Sequence, residues 1–272
     1  MTKLRHLIIV FGDQLDHASV AFDGFDIDKD AVWMAEVDYE AKHVWSHKQR
    51  IALFLSAMRH FRDELREKGY RVLYTEMGSE QENEKFSSRL TMDLGQARPD
   101  KVIVVRPGEW RVLDGLEKAC HGEGYELELR EDAHFYTTPN DFAAHASGRK
   151  SLRMEFFYRE QRRRFKVLMD GDTPAGGEWN FDKDNRGSFG KGGPEQPNKG
   201  PGHSRDSITE GVLELVNRRF AEHPGSLDSF AWAVTRAEAE RDLKNFIETR
   251  LPVFGKFQDA MWTDEPWLYH SL

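Results

Sequence analysis

Leu7-Ile8-Ile9-Val10-Phe11-Gly12-Asp13-Gln14 is a continuous apolar run that halts at a glycine and then presents an acid and an amide. No polar residue alternates within it, so it predicts a strand buried on both faces, as in a parallel sheet. Working outward, four further short apolar runs follow at Ala31–Val37, Val72–Tyr74, Val102–Val105 and Leu127–Leu129. Helical spacing lies between them. Ile51, Phe54, Leu55, Met58, Phe61 and Leu65 share one stripe that ends at Lys68-Gly69. Lys85–Leu94 and Trp110–His121 carry weaker helical patterns. The βαβαβα order predicts an α/β fold with a doubly wound, mostly parallel, Rossmann-like sheet.

The texture changes after Asn140. Ser151–Met169 reads as a helix with Met154, Phe157, Tyr158, Phe165 and Leu168 on one face. Gly171–Gly202 is rich in Gly, Pro, Asn and Lys and predicts a long loop. Helical patterns resume at Ile208–Phe220 and Arg236–Phe246. No internal repeat is visible.

The 272 residues hold one large domain, or one domain and part of another. A formal net charge of −8 gives no global drive toward nucleic acid, so such contact needs a local basic patch. The single cysteine, Cys120, excludes an internal disulfide and any four-cysteine metal or iron–sulfur site made by this chain alone. It also suits a reducing compartment. The basic, then apolar, start MTKLRHLIIVFG meets Asp13 without a small-residue cleavage site, so it does not read as a signal peptide. No stretch reaches the ~18 apolar residues of a membrane span. A cytoplasmic protein with no membrane partner is expected.

Ligands of open α/β sheets gather at the carboxyl ends of the strands. Three such ends are chemically unusual here: Gly12-Asp13-Gln14; Glu36 with Asp38 and Glu40; and Pro107-Gly108-Glu109-Trp110-Arg111. Glycines at 12 and 108 let a ligand approach the backbone, and carboxylates and an amide offer directional hydrogen bonds. Neither G-x-G-x-x-G nor G-x-x-x-x-G-K-[ST] occurs at this rim. An acid-lined crevice repels phosphate, which points to a neutral, hydroxyl-rich or ring-shaped ligand. The same acids serve equally as helix N-caps and turn residues.

His43 and His47 are four apart, but HVWSH lacks the glutamate of H-E-x-x-H, so no metal is expected. His47 either lines a pocket or is a satisfied buried histidine. Further on, Arg159, Arg162, Arg163 and Lys166 cluster on a helical wheel opposite Met154, Phe157 and Tyr158, with Phe156 beside them. A basic face with an aromatic suits phosphate-backbone contact, although charge runs are commonly solvated faces. WNFDKDNR, Trp179–Arg186, adds a stacking aromatic and Arg186. No nucleophile stands out: there is no G-x-S-x-G elbow, and Cys120 has no obvious base.

FGDQL, AEVDYEA, HKQRIALFLSAMRHF, PGEWR, GRKSLRMEFFYREQRR and GGEWNFDKDNR follow one another in that order. Together they resemble the N-terminal half of the bacterial photolyase-related proteins, the iron–sulfur (6-4) photolyases and cryptochromes, over essentially the whole chain. The resemblance implies an antenna domain over 1–140 that holds 6,7-dimethyl-8-ribityllumazine. Phe11, Gly12, Asp13, Gln14, Val37 and His47 would line its pocket. Glu36 and Glu40 would accept from ring or ribityl groups, Phe54 would face the pocket from a helix, and Gly108 and Glu109 would close the other side. It further implies a linker with the basic helix over 141–205 and the start of a helical FAD-type domain over 206–272.

FAD, a 4Fe-4S cluster and the lesion pocket are expected only in a C-terminal half beyond YHSL. A chain ending at Leu272 is then expected not to repair DNA alone. DNA is the partner expected of the full-length protein. The apolar faces of Ile208–Phe246 and of MWTDEPWLY would be disordered or pair with a second copy as a homodimer. Two rival readings remain. One is a DNA- or partner-binding module acting through the basic helix at 149–166. The other is an autonomous enzyme using the strand-end acids on a ribityl or nucleoside substrate.

Overall fold

The computed structural model describes residues 3–80, 82, 85–195, 200, 202–265 and 268–269. Strands and helices alternate as β1 (His6–Ile9), β2 (Ala31–Ala35), α1 (Asp38–His43), α2 (Lys48–Glu67), β3 (Val72–Thr75), α3 (Phe86–Ala97), β4 (Lys101–Val105), α4 (Trp110–Gly122) and β5 (Glu126–Arg130). The five strands form one parallel sheet in the order β3-β2-β1-β4-β5. This is the doubly wound α/β fold. Winding proceeds outward from β1 to β3, then returns to β4 on β1's other side. The β1/β4 seam is therefore the switch point where such sheets open a crevice.

Burial on both sheet faces explains the unbroken apolar runs. Leu7, Ile9, Trp33, Val102 and Val104 face Leu90, Leu94, Leu116 and Cys120 of α3 and α4. The alternate residues Ile8, Val10, Val32, Met34, Ile103 and Val105 face Met58, Phe61 and Leu65 of α2. Each fully buried aliphatic side chain contributes roughly 1.5–3 kcal/mol, so neither face tolerates a polar residue at these positions. Helix α2 begins one turn before its apolar stripe, because the His47 ring accepts from the Gln49 N–H at 3.2 Å and caps the helix.

Downstream lie α5 (Pro139–Ala146), α6 (Met154–Phe165), the antiparallel pair β6 (Met169–Asp170) and β7 (Thr173–Pro174), then α7 (Ser207–Arg219), α8 (Arg236–Thr249) and α9 (Leu251–Phe257). The chain divides into two compact units, Met1–Ala133 with Gly202–Ala239, and His134–Pro201 with Glu240–Leu272. In the first unit, Val212, Leu213 and Val216 of α7 share a cluster with Ile51, Ala52 and Leu55 of α2. Asp206 caps α7 by accepting from the Thr209 N–H at 2.8 Å, and its other oxygen lies 2.7 Å from His60 Nε2 on α2. In the second unit, Phe157 of α6 packs edge-on against Phe142 of α5 at 5.3 Å, and His145 lies 2.7 Å from Glu160.

The expected helix over Ser151–Met169 is shorter in the structure. It stops at Phe165 because Lys166 and Leu168 take left-handed φ values of 56° and 52° and turn the chain into β6. Phe157 alone of the expected apolar stripe is buried, while Met154, Tyr158 and Leu168 are exposed. Two short helices escaped periodicity. Helix α1 is a six-residue segment, and α5 is announced by a capping box between Thr138 and Asp141 around Pro139. Part of the Gly171–Gly202 loop (196–199 and 201), two residues of MWTDEPWLY (266 and 267) and the end of YHSL (270–272) lie outside the described residues. No described helix is long and apolar enough to cross a membrane.

Candidate functional site

The carboxyl ends of β1, β2 and β4 enclose a cavity of about 340 Å³ at the switch point. That is a small-molecule volume, within the usual range of roughly 300–1,000 Å³. The exit of β1 contributes Phe11, Gly12 and Asp13, and the exit of β2 contributes Glu36 and Val37. Glu40 comes from α1, and Arg50, Ile51, Phe54 and Met58 come from α2. Pro107, Gly108 and Glu109 supply the side beyond β4, with Phe86 and Val112 behind. Phe11 and Phe86 meet edge to face at 5.4 Å.

Two residues expected at this pocket are elsewhere. The Gln14 amide donates to the Val105 carbonyl at 3.1 Å and ties the β1 turn to the end of β4. His47 caps α2 and packs against Gly225, where a Cβ would collide with its ring. In both cases an unpaired backbone group close by captured the side chain.

The acids at the rim differ sharply in how they are used. Glu36 is buried, and Arg59 clamps it through Nε at 2.7 Å and Nη2 at 2.9 Å. The Tyr74 hydroxyl donates to it at 2.7 Å and the Met77 N–H at 2.8 Å. Those four donors occupy the lone pairs of a carboxylate. Glu36 therefore forms wall rather than ligand acceptor, a correction to the sequence expectation. Burial is the largest influence and opposes the Arg59 charge, but the bond to Glu36 together with the charges of Glu36 and Glu76 outweighs it and raises the guanidinium pKa. Burial, then the charge of Glu36, pushes the Tyr74 hydroxyl well above its ordinary value.

Glu40 and Glu109 share one partner. Arg111 donates to Glu40 at 2.9 and 2.7 Å and to Glu109 at 2.7 and 3.0 Å, which links α1 to the start of α4. Hydrogen bonds to Glu40 and then Glu109 raise the Arg111 pKa, and Arg111 in turn holds the Glu109 carboxyl below its usual range. Asp13 is the exception. Among the described residues its exposed carboxylate has no hydrogen-bond or ion-pair partner.

Arg50 is likewise exposed and without a hydrogen-bond or ion-pair partner among the described residues, its guanidinium 5.6 Å from the Phe54 ring centre. Sequence reasoning missed Arg50, although a signal existed. It stands four residues before Phe54, so a pocket-facing Phe54 implies a pocket-facing Arg50. Phe86 and Met58 were missed because each reads as ordinary core.

The two glycines play different parts. A Cβ at Gly12 would lie 2.9 Å from Met58 Sδ and 3.3 Å from Phe54 Cδ1, so glycine lets the β1 exit pass close beneath α2. A Cβ at Gly108 would meet nothing within 4 Å. Its bare backbone faces open space beside the cavity.

Residues 8–232 match the profile of the deoxyribodipyrimidine photo-lyase-related proteins. The chain belongs to that family. It is 41% identical over 273 residues to a (6-4) photolyase of Agrobacterium fabrum, an alignment covering 99% of this chain and 53% of that protein. It is 20% identical over 193 residues to an uncharacterised protein of Acanthamoeba polyphaga mimivirus, covering 67% of this chain and 94% of that protein. The chain thus spans about half the length of the photolyase it matches.

In this photolyase-related chain the basic helix splits by role. Arg162 is buried and donates to the carbonyls of Val167 at 3.4 Å, Trp179 at 3.3 Å and Leu168. It closes the carboxyl end of α6 and is not a surface cation, which corrects its expected place in a DNA face. Arg159 pairs with Glu155. Arg159, Arg162 and Arg163 all lie against the Trp179 ring, at 5.3, 5.2 and 4.5 Å. Arg163, Lys166 and Arg186 are exposed and have no carboxylate partner among the described residues.

Among the described residues no group of three His, Cys, Asp or Glu side chains could hold a metal ion. His43 stacks on Tyr39 at 5.1 Å. Burial pushes the Cys120 thiol up to about 11, away from reactivity.

Proposed function

We propose that the cavity is an antenna site for 6,7-dimethyl-8-ribityllumazine and that the chain is the light-harvesting portion of a photolyase-like protein. One observation carries the reading: three strand ends converge on a single cavity with aromatic walls and an unengaged acceptor, Asp13. Phe11, Phe54 and Phe86 offer flat apolar surface to a ring, and Asp13 would accept from ribityl hydroxyls or a ring N–H. Gly108 leaves backbone open to close approach. The Arg111 clamp would hold the two sides of the mouth at fixed spacing. When bound, the ring supplies absorption of blue light and its transfer to a flavin.

The photolyase relative extends the proposal to a longer protein. There, FAD and a 4Fe-4S cluster would serve repair of (6-4) photoproducts in DNA. The single cysteine here does not furnish the four thiolates of such a cluster. The test is to purify the chain and record its absorption with and without added lumazine. A bound blue-region band is expected. Absence of both the band and measurable binding refutes the antenna role.

A second reading rests on Arg163, Lys166 and Arg186, whose charges no carboxylate in the described structure answers. These cations would contact DNA phosphates in the full-length setting, independently of the cavity.

A further inference from the structure

Two thioethers line the cavity, Met58 of α2 and Met77 just beyond β3. Both are buried, at 6% and 4% exposure, whereas Met154 and Met261 are 70% and 83% exposed. Met58 sits at a tight point of the wall. The Cβ that Gly12 lacks would lie 2.9 Å from its Sδ and 3.3 Å from Phe54 Cδ1. A thioether is soft and polarizable, and it takes up oxygen to become a polar sulfoxide. Burial keeps oxidants of the bulk solvent from Met58 and Met77, but it gives no shelter from an oxidant that forms inside the cavity.

From this we propose that Met58 is a light-dependent oxidation site, converted to its sulfoxide by dioxygen activated within the illuminated cavity. The proposal rests on the antenna reading of that cavity and adds a limit to the light dose it withstands. Singlet dioxygen forms from ordinary dioxygen by energy transfer where excitation finds no other acceptor. Formed in this cavity, it meets the thioethers of the wall before it escapes. The step balances: thioether, dioxygen and water give sulfoxide and hydrogen peroxide. Sulfur loses two electrons, dioxygen gains two, and the two protons of water leave with the peroxide. At Met58 the added oxygen enters a seam where glycine is already needed for clearance. It either stays without a hydrogen-bond donor or turns into the cavity and takes the space of the ring. Both lower the affinity for the ring.

The test illuminates the full chain, mixed with 6,7-dimethyl-8-ribityllumazine, in air-saturated buffer containing catalase. Methionine oxidation is read by peptide mass spectrometry. Under blue light Met58 should gain oxygen ahead of the exposed Met154 and Met261. Argon purging should prevent this, and deuterium oxide, which prolongs the life of singlet dioxygen, should increase it. Hydrogen peroxide in the dark, without catalase, should reverse the order, with Met154 and Met261 oxidised first. Ring affinity, from the absorption titration, should fall about tenfold as the Met58 sulfoxide accumulates. Met58→Leu, compared with its own dark sample, should lose this fall, and Met154→Leu should keep it. The mass readout on the parent chain decides the matter even if Met58→Leu folds poorly. Oxidation of Met58 no faster than that of the exposed methionines overturns the proposal, as does a light-dependent fall that survives Met58→Leu. If lumazine binds and Met58 stays reduced under light, this proposal falls and the antenna reading stands. If lumazine does not bind, both fall.

Discussion

Glu36 and Asp13 both line the cavity, yet they answer to different forces. Removing the Glu36 side chain strands the Arg59 guanidinium, the Tyr74 hydroxyl and the Met77 N–H in a buried setting. Glu36→Ala should therefore cost about 3–5 kcal/mol, read from urea unfolding. Glu36→Gln keeps an acceptor for Tyr74 and should cost less. Asp13→Asn removes nothing the protein uses, so its stability should stay within about 0.5 kcal/mol of the parent. Its affinity for a ribityl ligand should fall, measured by the same absorption titration. A destabilised Asp13→Asn variant would mean that this carboxylate has a structural duty. Gly108→Val adds bulk where no protein atom lies within 4 Å. It should spare the urea midpoint and block the ligand.

Helix α7 is held to α2 partly through Asp206, and this attachment should fail in acid. Burial pushes the Asp206 carboxyl up, but the Thr209 N–H and His60 more than reverse it and bring it to about 2. The unfolded carboxyl titrates at about 3.9. A depressed native value means that the stabilisation is complete above the unfolded value and lost as pH falls through the native one. Urea midpoints should drop between about pH 4 and pH 2, and Asp206→Ala should show a shallower drop across the same window. At neutral pH that variant should lose about 1 kcal/mol with its cap.

Helix α6 offers a second test. Arg163→Ala with Lys166→Ala should lower DNA affinity and reduce the salt slope by about 2, as expected for two lost phosphate contacts. Arg162→Ala should instead melt the end of α6, because its guanidinium holds the carbonyls of Val167, Leu168 and Trp179. A DNA affinity indifferent to salt and to Arg163 and Lys166 would remove the phosphate role.

Across the whole fold, the strand order β3-β2-β1-β4-β5 puts the cavity where it is. The apolar runs at Leu7, Ala31 and Val102 were readable because a strand covered on both faces must be apolar at every position, whatever its neighbours. The α2 stripe was readable for a similar reason, since one face of that helix always meets the sheet. The position of the cavity followed from topology, and Phe11, Gly12, Asp13, Glu40, Phe54, Gly108 and Glu109 could be named from strand ends and the resemblance together.

The residues themselves thus dictated the layers, the winding and the rim, because hydrophobic burial depends on local pattern. The pairing of charges did not lie in the sequence. Arg111 finds Glu40 across 71 positions, Arg59 finds Glu36 across 23, and Arg162 turns inward to carbonyls beyond its own helix. Ion pairs form only where packing brings side chains within about 4 Å, and long-range packing sets that distance. Folding therefore chose which acids became wall, which arginine became a cap, and which two groups, Asp13 and Arg50, were left facing the cavity.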